Sequence, residues 1–209
     1  AQSASFGPVA LSNLAAAARV DRGRANFDVG DATAYGGSLI GRVALSEKGV
    51  DGGFKVQLSA RKTNFSGLFD AVGLTGPLPR GTGSLDLEVT SPYPTWATAL
   101  SDLTGKIDLA VEAGMVPGLD VAKFRELART ERFFDLGQLG EGTGFAFNSA
   151  RFEATIADGE ANLETAELIG PQQMFSLSGV IPYSRSSLAI AGVLSPVPVA
   201  EGQTEAEQP

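Results

Sequence analysis

Apolar and polar residues alternate one by one along most of this chain, and a period of two belongs to a strand, not to a helix. RANFDVGDA (24–32), GSLIGRVALS (37–46), GFKVQLSAR (53–61), GSLDLEV (83–89), GKIDLAV (105–111), GFAFNSARFEATIAD (144–158), ANLETAELIG (161–170), MFSLSGVIPY (174–183) and SLAIAGVL (187–194) all read this way. With LAAAARV (14–20) as a first member, the chain holds about ten strands. Between them Asp21-Arg22-Gly23, Lys48-Gly49, Asp51-Gly52-Gly53 and Asp158-Gly159 supply tight turns, so consecutive strands pair antiparallel as a meander.

Three stretches break the alternation. NFSGLFDAV (64–72) and PTWATALSDL (94–103) read as short helices. LDVAKFRELARTERFF (119–134) reads as the best helix, with Asp120 as N-cap and Phe124, Leu127, Ala128 and Phe133 as its apolar side. Residues 1–194 then form a single β-rich domain, and SPVPVAEGQTEAEQP (195–209), rich in Pro and Glu, is a flexible tail.

One motif, Gly-x-(Leu/Ile)-Asp-Leu-x-Val, occurs twice, at 83–89 and 105–111. It puts Leu85, Leu87 and Val89 on one face, with Ile107, Leu109 and Val111 beside them. Phe145, Phe147, Phe152, Ile156, Phe175, Leu177, Leu188 and Ile190 extend the apolar set, while Asp86, Glu88, Asp108, Glu112, Glu153, Ser176 and Ser178 occupy the other face. Ten strands at about 4.8 Å give a face of roughly 900 Å². The best helix shields about a quarter of that. Either the sheet closes on itself as a sandwich or jelly roll, or it curls into a trough whose apolar side stays partly open.

Composition narrows the chemistry. Hydrophobic residues make up 43% and charged residues 19% of the chain, enough for a folded core. A net charge of −8 repels phosphate backbones, so nucleic acid is not an expected partner. With neither Cys nor His in the chain, thiol nucleophiles, imidazole bases, disulfides and the usual zinc and copper ligands fall away. No cofactor or metal site is expected, and an enzyme is not. Asp86 and Asp108, on neighbouring strands, offer a carboxylate pair of the glycosidase type, but their place opposite the apolar face reads as solubilising. GEGTG (140–144) precedes a strand rather than joining strand to helix, which speaks against a phosphate loop. Asn64-Phe65-Ser66 is a glycosylation triplet and enters no functional reading. The opening AQSASFGPVA lacks a basic start and an apolar core, so any export signal or anchor is expected outside this piece.

From residue 81 onward the sequence resembles the C-terminal region of the AsmA family. The resemblance rests on GTGSLDLEVTSPYPTWATALSDLTGKIDLAVEAGMVPGLDV, with its Asp102-Leu103-Thr104-Gly105 turn and the run Ala113 to Val121, then on TGFAFNSARFEATIADG (143–159) and ETAELIGPQQMFSLSGVIPY (164–183). Upstream, GRANFDVGDATAYGGSLIGRVAL (23–45) is similar to the preceding hairpin of those proteins. Residues 10–80 would be N-terminal hairpins and 81–194 the AsmA-like part.

The resemblance implies an inner-membrane anchor outside this piece, a periplasmic location in a Gram-negative envelope, and movement of phospholipid along a hydrophobic groove toward the outer membrane. It favours the trough over the closed sandwich. The apolar residues named above would line the groove, Gly83 and Gly105 would open strands at turns, and Asp86 and Asp108 would lie on the wet convex side. Phospholipid is the implied partner, with an outer-membrane or envelope protein as a further one. The alternative is a closed β-module serving as a protein-binding scaffold in outer-membrane assembly. Lys123, Arg125, Arg129 and Arg132, a quarter of the 16 basic residues, mark a headgroup or membrane-surface contact, or else a solvated face.

Overall fold

The computed structural model describes residues 3–6, 8–47, 52–93, 102–134, 136–139, 144–182 and 189–198. Twelve strands make one sheet. They are β1 (Ser3–Phe6), β2 (Val9–Asp21), β3 (Arg24–Ala34), β4 (Gly37–Ser46), β5 (Gly53–Asn64), β6 (Arg80–Ser91), β7 (Thr104–Val116), β8 (Phe145–Phe147), β9 (Ser149–Ala157), β10 (Glu160–Ile169), β11 (Gln173–Pro182) and β12 (Ala189–Pro196). Eleven follow one another in chain order, antiparallel throughout, while β8 pairs the far end of β7. The path runs from β1 to β12 without rejoining, so the sheet is a curled open meander. The closed module is thereby corrected: strand order carries no Greek-key crossing, and nothing among the described residues pairs the two edges.

Three hairpins turn on consecutive residues with positive φ: Arg22 and Gly23 (47° and 79°), Tyr35 and Gly36 (49° and 81°), and Asp158 and Gly159 (54° and 78°). Two left-handed residues in a row match the right-handed twist of the strands they join. The first and third were legible in sequence. Lys48, Gly49 and Asp51 lie outside the described residues.

The repeated motif proves to be one feature seen from both sides. β6 and β7 pair so that Asp86 faces Asp108, Leu85 faces Leu109 and Leu87 faces Ile107. Gly83 then meets Val111, and Gly105 meets Val89. Each glycine therefore lies inside a strand, against its partner's valine, and does not open the strand at a turn as expected.

Helix α1 (Phe65–Val72) is capped by Asn64, whose side-chain oxygen accepts from the amides of Ser66 (3.0 Å) and Gly67 (3.3 Å). Gly73, at φ 73°, closes it. Helix α2 (Val121–Thr130) is capped by Asp120, which accepts from Ala122 (2.8 Å) and Lys123 (2.9 Å). It stops short of the expected 134, so the exposed Phe133 follows the helix instead of packing beneath it, and Ala128 is exposed too. Val121, Phe124 and Leu127 form the inward side. Of the stretch read as a helix at 94–103, residues 94–101 lie outside the described residues. The segment read as one strand at 144–158 breaks at Asn148, whose amide donates to the Ile169 carbonyl (2.7 Å).

Candidate functional site

One face of the sheet is apolar from end to end. A single cross-strand row runs through Ala16, Val29, Gly41, Leu58 and Leu87 on the N-terminal half. It continues through Ile107, Ala154, Leu163, Gly179 and Ile190. No polar side chain interrupts it. At about 4.8 Å per strand the row is roughly 43 Å long.

Both helices sit toward one side of this row. There Phe65 of α1 and Leu127 of α2 join Val111, Val116, Phe145, Phe147, Leu168 and Phe175 in a buried cluster. The rings of Phe124, Phe145 and Phe175 stack edge to face, with centroids 5.0 and 5.1 Å apart. On the other side a smaller cluster gathers Phe54, Val89, Leu103 and Ile156, with Leu45, Val56, Leu87 and Ile107 packed against it. Toward the N-terminal margin the face is buried on the helix side, where Leu11, Ala32 and Ala34 form a third cluster, and opens on the other, where Phe27 is 43% exposed and Val20 75%.

The expected groove residues therefore divide. Val111, Phe145, Phe147 and Phe175 are buried under the helices, and Leu85, Leu109 and Phe152 are half-buried against the same cluster. Leu87 and Ile107 are half-buried on the central row, with the buried Val89 and Ile156 beside it. Leu177 is half-buried on β11, Ile190 is exposed on β12, and Leu188 lies outside the described residues. Sequence reasoning placed no groove residue before β6, yet Phe27, Val43, Val56 and Leu58 share the apolar face. The alternation in 24–61 carried that signal.

The opposite face is a lattice of charge. Asp86 faces Asp108, and Asp108 faces Glu153. Arg61 holds both Asp86 oxygens through Nη2 (2.9 and 2.8 Å), and Arg151 Nε donates to Glu153 (2.7 Å). Lys55 (2.6 Å) and Gln57 (2.9 Å) donate to Glu88, and Arg42 pairs with Asp28. Burial pushes the Asp86 carboxyl up, but hydrogen bonds from Arg61 and Ser59 and the Arg61 charge outweigh it and hold it below the usual carboxylate range. A proton-donating acid needs the opposite displacement, so Asp86 does not fit that role. Hydrogen bonds from Lys55 and Gln57 likewise hold Glu88 low.

Two open hollows lie on this polar face, one of about 860 Å³ beside Arg42, Gln57, Asp86 and Asp108, the other of about 540 Å³ beside Arg61, Glu112 and Arg151. Asp86 and Asp108 thus line a concavity, which corrects the convex placement expected for them. A twisted sheet is saddle-shaped, hollow along one diagonal on each face, so concavity on the polar side is compatible with curling of the apolar one. Lys123, Arg125, Arg129 and Arg132 lie on α2 and just beyond it, away from both hollows.

Among the described residues no helix is long and apolar enough to cross a membrane, and no group of acidic side chains is placed to hold a metal ion. Compared with protein-family models, with curated proteins and with solved structures, the chain matches none.

Proposed function

We propose that this chain is the C-terminal periplasmic part of an AsmA-like envelope protein, and that its apolar face carries phospholipid acyl chains between the inner and outer membranes. An anchor outside the chain would hold it at the inner membrane. The observation that carries this reading is the uninterrupted apolar row on a sheet that does not close, open on one side toward its N-terminal margin. An acyl chain spans half of the hydrocarbon core, about 15 Å, so a row of roughly 43 Å accommodates one with room for displacement. Each methylene withdrawn from water contributes about 0.8 kcal/mol. Such binding calls for no catalytic group, and the paired charges opposite keep the sheet in water.

Native mass spectrometry of the chain, purified from a Gram-negative periplasm, tests this directly. Adducts of phospholipid mass that survive mild activation are expected. A clean apo spectrum after incubation with lipid vesicles would sink the reading. Leu58→Asp, on the row away from the helices, should leave far-ultraviolet circular dichroism unchanged and remove the adducts. A second reading, a scaffold that binds protein, is favoured by β12, which carries no charged residue and pairs only with β11 among the described residues.

A further inference from the structure

The outer side of α2 is a second surface with its own chemistry. Val121, Phe124 and Leu127 face the sheet, and steps of about 100° then place Arg125 on one flank and Arg129 farther round toward the outer side, both exposed. Arg132 follows, its guanidinium 5.8 Å from the ring centroid of Phe133. That ring, 85% exposed, is the most exposed large apolar side chain among the described residues.

Four arginines elsewhere are matched with acids, Arg42 with Asp28, Arg61 with Asp86, Arg80 with Asp70 and Arg151 with Glu153, while the exposed Arg19 on β2 is not matched among the described residues. Arg125, Arg129 and Arg132 meet no carboxylate among the described residues. Glu126 is engaged by Lys123 (2.9 Å), and Asp120 caps the helix. Among the described residues Glu131 is the acid beside these three guanidiniums that no ion pair engages; Asp135 lies outside them. In a chain of net charge −8, three guanidiniums without a carboxylate partner among the described residues, one of them over an exposed aromatic ring, are complementary to a surface that is anionic outside and apolar beneath.

We propose that the outer side of α2, with Arg132 and Phe133, docks on an anionic phospholipid bilayer. The guanidiniums meet headgroup phosphates, and the Phe133 ring enters the interface. Repulsion from the remaining acidic surface is screened beyond about 8–10 Å at moderate salt, so the bilayer meets chiefly this patch. The inner side of the same helix packs Phe124 on Phe175 and near Gly192. Docking would therefore bring the helix-covered part of the apolar face within about one helix diameter of the bilayer. The docking does not depend on the acyl-chain reading.

Flotation of the whole chain with vesicles of phosphatidylcholine alone, or of phosphatidylcholine mixed with phosphatidylglycerol, tests the proposal. Binding is expected to the mixed vesicles only, and to weaken with salt. At about fivefold per cation, the triple variant Arg125→Gln, Arg129→Gln, Arg132→Gln should lose roughly 100-fold in affinity. Phe133→Ser should lose several-fold while keeping the wild-type unfolding midpoint, since its ring is exposed. Equal binding to both vesicle types, no binding to either, or an unaffected triple variant would make the patch a solvated face and overturn the proposal. Displacement by millimolar inorganic phosphate at constant ionic strength would overturn it too, in favour of a site for small anions. The triple variant should keep its phospholipid adducts in native mass spectra, so the two readings fail separately.

Discussion

A Cβ on Gly83 would lie 2.0 Å from the Ala110 carbonyl oxygen, and one on Gly105 2.0 Å from that of Glu88. Both obstacles are backbone in a neighbouring strand, which cannot swing aside. Gly83→Ala and Gly105→Ala should therefore each cost about 1–3 kcal/mol, read as a lower urea midpoint. Gly41→Ala is the control, for its Cβ would meet neighbours at an ordinary 3.5 Å; its change should stay within about 1 kcal/mol. Charge at single residues makes a second prediction. Asp86 and Glu88 sit below their ordinary values of 3.8 and 4.5. Lowered carboxyls stabilise the folded state above those values, and the contribution fades as pH falls through them toward the lowered ones. Arg61→Ala should remove about 0.2–1 kcal/mol at neutral pH, a discounted figure because both side chains are half exposed. Urea midpoints of wild type and variant, measured down the pH scale, should converge once Asp86 is protonated; a constant gap would assign the loss to packing of the Arg61 stem.

Helices α1 and α2 are what divide the apolar face into covered and open parts, and each depends on one cap. Asp120→Ala leaves the amides of Ala122 and Lys123 without their acceptor. It should cost about 1 kcal/mol. Because Phe124 and Leu127 dock through this helix, the loss should also appear as faster amide exchange across α2 than across β6, whereas uniform exchange would mean that packing alone holds the helix. The Asp120 cap was legible in sequence, since an Asp ahead of an apolar run is a local signal; Asn64, the cap of α1, was read as the first residue of its helix. Most of the strands were legible too, because their side chains must alternate whatever they pack against, though not β1 or the break between β8 and β9. Helix length was not: Ala128 and Phe133 fit an apolar pattern by type, but α2 ends at Thr130. Nor could alternation tell Phe145 and Phe175, buried beneath the helices, from Phe27 on the open part, because burial there is decided by segments distant in the chain. The hollows on the polar face were equally hidden, since curvature comes from accumulated twist, not from the two-residue period.

An open sheet has two edges, and this one treats them differently. At the N-terminal side β1 has only 4 residues, and β2 behind it shifts register between Ser12 and Ala16 and carries Arg19 and Asp21. Short strands, bulges and charges are what discourage a second chain from pairing. β12 has none of these before Pro196: its residues are small or apolar, and Val193 is 65% exposed on the polar face. The chain should therefore associate through β12 as concentration rises, reversibly and without loss of secondary structure. Val193→Lys puts a charge on that edge without touching the apolar row, and should return the protein to monomer in sedimentation velocity. Ala17→Lys, on the same face of β2 but at the guarded edge, should change nothing. If Ala17→Lys dissociates the assembly as well, the two edges meet head to tail, β12 of one copy on β2 of the next, and the apolar row would run on from molecule to molecule. A wild type that stays monomeric at every concentration would mean that the twist of β12 alone suffices to keep its edge unpaired.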